Sequence, residues 1–160
     1  MMEIYTDGGC SGNPGPGGWA YVIISDAGLP GDANSFGDDR LPGNATPLEN
    51  WGTEKSTTNN RMELQAVIAA LERVSGAGPE ITIYTDSQYV QKGITLWIKE
   101  WKSKGWKNSA KQPVKNQDLW QRLDALSGGL DINWVWVKGH AGNKYNERCD
   151  FLTQKAIASI

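Results

Sequence analysis

Apolar and polar positions alternate with two distinct periods along this chain, and the change of period marks its elements. Glu3 to Asp7 reads as a strand that ends in a glycine-rich turn from Gly8 to Gly18, and Trp19 to Ile24 as a second strand, so the turn closes an antiparallel pair. Asp26 to about Asn50 is poor in large apolar residues and rich in Gly, Pro, Asp and Asn, the pattern of a surface excursion. A short third strand is predicted between Trp51 and Ser56. From Asn60 to Val74 the period changes: Leu64, Val67, Ile68 and Leu71 recur at i, i+3, i+4 and i+7, one buried helical stripe. Ile81 to Thr85 is a fourth strand, with Asp86-Ser87 behind it as a helix start. Helical segments are predicted at about Ser87–Ile94, Thr95–Lys104 and Asn116–Leu126, a fifth strand at Ile132–Val137 and a last helix at Asn146–Ile160. A hairpin set followed by strands alternating with helices implies an α/β fold, a five-stranded mixed sheet flanked by helices.

Composition narrows the class. The chain has 160 residues, the size of one domain, and no apolar run approaches the length of a membrane helix. Its two cysteines, Cys10 and Cys149, cannot build a disulfide framework, and Met1-Met2-Glu3-Ile4 lacks the features of a secretory signal, so a cytoplasmic protein without membrane attachment is expected. The formal net charge of -2 argues, taken alone, against a polyanionic partner. Its distribution argues the other way. Residues 92–115 carry seven lysines against the single acid Glu100, a local net of +6, whereas residues 26–56 carry six acids against Arg40 and Lys55, a local net of -4.

The candidate chemistry lies in the carboxylates. Ile4-Tyr5-Thr6-Asp7 and Ile83-Tyr84-Thr85-Asp86 are the same tetrapeptide, so two strands end in Asp in the same local context. If the strands are neighbours running the same way, both carboxylates stand at the carboxyl end of the sheet, where open α/β sheets bind ligands. For either Asp alone, a turn or helix cap is the better reading. Asn60-Arg61-Met62-Glu63 fits a capping box with Asn60 as N-cap, which gives Glu63 a structural alternative. Asp150 is less easily explained as structural, because it sits between Cys149 and Phe151-Leu152 inside a helix, where a core-facing acid is costly unless paired or metal-bound. Four acids converging from four elements would suit Mg²⁺, which prefers carboxylate oxygen.

The chain resembles type 1 ribonuclease H over nearly its whole length. The resemblance is carried by Thr6-Asp7-Gly8, Asn13-Pro14-Gly15-Pro16-Gly17-Gly18, Thr57-Thr58-Asn59-Asn60-Arg61-Met62-Glu63-Leu64 and Thr85-Asp86-Ser87-Gln88-Tyr89-Val90. It continues in Trp101-Lys102, Gly105-Trp106-Lys107, Pro113-Val114-Lys115-Asn116, Trp136-Val137-Lys138-Gly139-His140-Ala141-Gly142 and Asn146-Glu147-Arg148-Cys149-Asp150. It implies a ribonuclease H-like fold whose first three strands are antiparallel, in a monomer forming a single catalytic domain over residues 1–160. It further implies endonucleolytic hydrolysis of the RNA strand of an RNA/DNA hybrid, leaving 3′-hydroxyl and 5′-phosphate ends.

By the same resemblance, Asp7, Glu63, Asp86 and Asp150 are the catalytic acids and the ligands of two Mg²⁺ ions, with Mn²⁺ as a substitute. His140, the only histidine, assists proton transfer or product release from a glycine-flanked loop. Gly8 allows close approach in the minor groove, and the amides of Asn59 and Gln88 pair with 2′-hydroxyls or base edges. Cys10, Asn13, Thr58, Asn60 and Trp97 lie near the DNA strand, Asn13 and Thr58 in a phosphate pocket. Residues 92–115 form a substrate-binding protrusion whose Lys99, Lys102, Lys104 and Lys107 suit phosphate contact, and residues 26–50 are a surface insertion. The rivals are another nuclease of the same fold, whose acids would be spaced differently, and a non-catalytic hybrid-binding module, which has no need for four acids and His140.

Overall fold

The computed structural model describes residues 2–25, 47–74, 80–139 and 142–160. Five strands, β1 (Met2–Cys10), β2 (Gly15–Ser25), β3 (Leu48–Thr57), β4 (Ile81–Thr85) and β5 (Ile132–Trp136), form one sheet in the order β3-β2-β1-β4-β5. The first three are antiparallel neighbours, and β4 and β5 join parallel to β1. The helices are α1 (Asn59–Arg73), α2 (Gln88–Lys92), α3 (Ile98–Ser103), α4 (Gln117–Ser127) and α5 (Lys144–Ala158), with a single π turn, Gly93–Trp97, joining α2 to α3.

The period-2 pattern of β1 sorts the sheet into two faces. Met2 and Ile4, with Tyr21, Ile23, Ile81 and Ile83, meet the stripe Leu64, Val67, Ile68 and Leu71 of α1, and Val90, Trp120 and Leu123 extend this core. Tyr5, Ala20 and Val22 point the other way, onto Cys149 and Leu152 of α5. Asp7 follows Tyr5 by two residues, so it shares the α5 face.

Three differences from the sequence expectation bear on the site. β1 and β2 continue through the glycines, with Gly8 opposite Trp19, Gly9 opposite Gly18 and Cys10 opposite Gly17, which leaves only residues 11–14 as the turn. Glycine is a poor strand former in isolation, but here a paired backbone overrides that preference. β3 begins at Leu48, inside the expected excursion. As an edge strand exposed along most of its length, it carries little apolar alternation to announce itself. Residues 26–46 lie outside the described residues.

The third difference is the start of α1. Its N-cap is Thr58, not Asn60: Thr58 Oγ1 accepts a hydrogen bond from the Arg61 N–H at 3.2 Å. Glu63 therefore lies beyond the N3 position and makes no capping box.

The basic segment is built on aromatic packing. Trp101 lies 5.8 Å from Trp97, 6.4 Å from Trp106 and 5.4 Å from Trp120, ring centre to ring centre, and Tyr89 packs 5.3 Å from Trp120. The Tyr89 hydroxyl accepts hydrogen bonds from Trp120 Nε1 (3.0 Å) and Asn116 Nδ2 (3.1 Å), and Arg61 ties this cluster to α1 through Asn116 and the two carboxylate oxygens of Asp118.

At the start of the π turn, a Cβ on Gly93 would fall 1.9 Å from the ring of buried Trp120. Gly to Ala in a helical turn usually gains up to about 1 kcal/mol. Here overpacking against Trp120 reverses the sign, and Gly93→Ala is expected to lose about 1–3 kcal/mol in urea unfolding. Equal or greater stability would show that the ring has room to move.

Candidate active site

The repeated tetrapeptide is placed side by side. β1 and β4 are parallel neighbours with Ile4 opposite Ile83, Tyr5 opposite Tyr84 and Thr6 opposite Thr85, so each residue of one copy sits beside its twin. Tyr5 and Tyr84 stack with ring centres 4.6 Å apart and planes 8° from parallel. Asp7 and Asp86 come next on both strands, and their side chains emerge together on the α5 face at the carboxyl end of the sheet.

Glu63 reaches them because Gly8 has no side chain. A Cβ at Gly8 would fall 2.3 Å from the Met62 carbonyl carbon and 2.5 Å from the Glu63 nitrogen, so β1 and the first turn of α1 touch backbone to backbone. Asp7, Glu63 and Asp86 then offer one carboxylate oxygen each, all within 4.8 Å of one another. Asp150, half-buried on α5, stands outside this triangle but close enough for its charge to raise the pKa of both Asp7 and Glu63.

Asp86 is fixed from several sides. Its carbonyl accepts a hydrogen bond from Trp136 Nε1 at 3.0 Å, and the preceding carbonyl, Thr85 O, accepts from the Val137 N–H at 2.9 Å. Ser87 caps α2 by accepting from the Val90 N–H. The loop after β5 passes beside the carboxylate, where a Cβ on Gly139 would lie 3.1 Å from Asp86 Oδ2.

These acids are under electrostatic pressure. Burial first, then the Asp86 charge, lifts Asp7 to a pKa of about 8, an increase partly offset by the Thr153 hydroxyl and the Gly8 N–H. Burial, followed by Asp7 and Asp86, holds Glu63 well above the usual carboxylate range. Among the described residues, the buried side-chain oxygens without a hydrogen-bond partner are Thr6 Oγ1, Glu63 Oε2 and Thr153 Oγ1. Orphaned atoms are rare in native interiors; Glu63 belongs to the acid cluster, and the pKa of its carboxyl is raised by burial and by the neighbouring Asp7 and Asp86. Clustered hard oxygen donors whose mutual repulsion a cation would relieve fit a divalent metal such as Mg²⁺.

The RNase H family model matches residues 1–158. The chain belongs to the ribonuclease H family. A ribonuclease H of Treponema denticola is 51% identical over 99% of this chain and 98% of its own length, and one of Chromobacterium violaceum is 50% identical over 99% and 96%. Among solved structures, LC9-RNase H1, a type 1 RNase H with the type 2 active-site motif, is 32% identical with a TM-score of 0.81, covering 99% of this chain and 72% of that one. LC11-RNase H1, solved in complex with an RNA/DNA hybrid, is 23% identical with a TM-score of 0.69, covering 99% and 98%, and shares the fold. This chain is thus a type 1 ribonuclease H, with the mixed sheet and antiparallel first strands of that fold.

Other residues singled out in this ribonuclease H are distributed along the rim of the site. Asn59 Oδ1 accepts from the Cys10 N–H at 2.8 Å, and Asn13 Oδ1 accepts from the Asn59 N–H at 3.3 Å, so the β1–β2 turn and the start of α1 are laced together. Cys10 Sγ donates to Gly12 O at 2.7 Å. Asn13, Asn59, Asn60 and Gln88 are exposed, and Thr58 and Trp97 are half-buried. Gly8 faces α1, so its missing Cβ serves internal packing before any groove contact. All seven lysines of residues 92–115 are exposed, but Lys102 pairs with Asp124 (3.2 Å) and Lys104 with Glu100 (2.8 Å). The segment is therefore less free of acids than its own sequence implies, since Asp124 comes from α4. Such exposed pairs are worth about 1 kcal/mol or less and exchange partners readily. His140 lies outside the described residues.

The sequence reading gave Trp136, Gly139 and Thr153 no role of their own; the structure sets Trp136 and Gly139 against Asp86 and buries Thr153 on the face of α5 that packs on the sheet. For Thr153 a signal existed: it is the hydroxyl-bearing member of the stripe Cys149, Leu152, Thr153 and Ala156 that α5 buries.

The raised pKa of Asp7 sets a pH dependence for the metal-free protein. The unfolded state releases this proton near pH 3.8 and the folded state near 8, so stability is full below the first value and falls as pH rises through the second. In EDTA at pH 8.5, Asp7→Asn is expected to raise the melting temperature by at least about 3 °C, an advantage that shrinks towards pH 5. A variant less stable than the parent at pH 8.5 would contradict this assignment of strain.

Proposed function

We propose that this ribonuclease H hydrolyses the RNA strand of RNA/DNA hybrids at the cluster of Asp7, Glu63, Asp86 and Asp150, with two divalent cations, leaving 3′-hydroxyl and 5′-phosphate ends. The observation that carries the proposal is the meeting of three carboxylates within 4.8 Å, one of them with an orphaned buried oxygen, Glu63 Oε2. Bound there, a pair of Mg²⁺ ions, or Mn²⁺ in their place, would supply activation of water and neutralisation of the leaving oxygen. The chain's own contribution is a rigid donor set, anchored on two strands and two helices, so that the carboxylates need little reorganisation when a phosphate arrives.

The rim supports a matching mode of substrate binding. The oxygens of Asn59 and Asn13 are engaged inside the protein, which turns their NH₂ groups towards a ligand as donors. Asn59, with Gln88, would meet the 2′-hydroxyls that distinguish RNA from DNA. Asn13 and Thr58, at the positive end of α1, would hold a phosphate of the DNA strand beside Cys10, Asn60 and Trp97. Lys99, Lys102, Lys104 and Lys107 on the protrusion of residues 92–115 would add contacts to the backbone further along, and their neutralising charge accounts for a polyanion substrate on a chain of net charge -2. His140, which follows the loop residue beside Asp86, is assigned to proton transfer or product release. Residues 1–160 are read as one catalytic domain working as a cytoplasmic monomer, and the surface insertion expected over 26–50 gives up its last residues to β3, which begins at Leu48. Among the described residues, no helix is long and apolar enough to cross a membrane.

Cleavage assays on an RNA/DNA hybrid, single-stranded RNA and duplex RNA, each with Mg²⁺ or EDTA, test the reading. Cutting is expected only for the hybrid and only with Mg²⁺. Equal cutting of all three would reject hybrid specificity, and tight hybrid binding without cutting would favour a binding module.

A further inference from the structure

We infer that Trp136 is a positioning residue for Asp86: its indole N–H, held on the Asp86 carbonyl, fixes the turn from which that carboxylate joins Asp7 and Glu63. The inference deepens the reading of the acid cluster as a metal centre and rests on it.

β4 ends at Thr85 and the chain bends at Asp86. In a continuing strand, successive carbonyls point to opposite neighbours. Here two in succession face β5: Thr85 O accepts from the Val137 N–H at 2.9 Å, and Asp86 O from Trp136 Nε1 at 3.0 Å. The first bond continues the backbone ladder. The second needs a side chain, because the chain has rotated at Asp86 and β5 itself ends at Trp136. On its other side the turn is closed by the Ser87 N–H, which donates to Thr85 Oγ1 at 3.0 Å.

Packing does not account for Trp136. Trp134, two residues earlier on the same strand, packs against the core, whereas Trp136 joins neither core cluster among the described residues and stays 37% exposed. Trp136 pairs in register with Thr85, which places its ring on the α1 face of the sheet, opposite the Asp86 carboxylate. The indole, which can only donate, therefore acts on the backbone of Asp86 and not on its carboxylate. Three residues on, the chain passes the carboxylate itself, where a Cβ on Gly139 would lie 3.1 Å from Oδ2. Residues 136–139 thus hold Asp86 from its carbonyl to its side chain. The indole bond lies at the surface, so water can take over the carbonyl when the donor is removed. Its loss frees the turn without leaving a buried orphan, and a metal ligand held less firmly binds its ion less tightly.

The test replaces Trp136 in the full chain by the benzothienyl analogue of tryptophan, which keeps the ring shape and carries sulfur in place of N–H, and separately makes Trp136→Phe. Mg²⁺ is titrated without substrate, followed by the amide shifts of Gly8 and Asp150, and melting temperature in EDTA verifies folding. Both variants are expected to weaken Mg²⁺ binding about three- to tenfold, the worth of one hydrogen bond, and the analogue to melt within about 3 °C of the parent. At limiting Mg²⁺, kcat on a hybrid should fall by a similar factor while KM for the hybrid stays within about twofold. In the parent, the Trp136 indole N–H is expected to exchange with solvent more slowly than an unbonded surface indole. Parental Mg²⁺ affinity in the folded analogue overturns the inference, and so does free exchange of the parent's indole N–H, a result independent of any substitution. Absence of saturable Mg²⁺ binding in the parent overturns the metal-centre reading, and the inference with it.

Discussion

Parallel pairing of β1 with β4 is the constraint on which the site depends. Register in a sheet is a discrete choice, because a slip of one residue turns each side chain to the opposite face. Here the register sets Tyr5 against Tyr84 and Thr6 against Thr85, and the two aspartates that follow have no alternative but to meet. Burying them side by side is unfavourable on its own account: desolvation first, then the Asp86 charge, raises the pKa of Asp7. The stacked tyrosines and the apolar residues on both faces hold together what the charges would separate. Aromatic pairs of this kind contribute about 0.5–1.5 kcal/mol beyond their burial, and the hydrophobic core adds the greater part.

The remaining acids are placed by devices of a different kind. Glu63 depends on a missing atom: without Gly8, the first turn of α1 could not lie against β1, because the clash would be with backbone that cannot rotate away. Asp150 depends on the packing of a helix, through Cys149, Leu152 and Ala156. One pair of strands, one glycine and one helix face converge on a few ångströms of space. The burial and mutual repulsion of Asp7 and Glu63 there is a cost that a bound cation would offset.

The repeated Ile-Tyr-Thr-Asp announced two like strand ends, and the apolar stripe of α1 was legible with its correct face. What escaped was set by tertiary context. Four consecutive residues, Thr57 to Asn60, all have side chains able to cap a helix, and only the geometry around Arg61 selects Thr58. β3 was read as too short because an edge strand lacks the alternation that burial on one face imposes. Trp136 was missed because its significance is a partner distant in sequence, Asp86 at 50 residues. The basic segment was read correctly as lysine-rich, but its acids come from outside it, as Asp124 does for Lys102.

The central claim is that the four acids, reached by these separate devices, form one divalent-metal centre. A crystal structure grown or soaked with Mn²⁺ tests it directly, because the ion's anomalous signal locates it independently of the protein. The account predicts anomalous density within coordination distance of Asp7 and Glu63, with Asp86 and Asp150 completing the donor set and Glu63 Oε2 no longer orphaned. Ordered Mn²⁺ elsewhere on the protein with none at these carboxylates would contradict it.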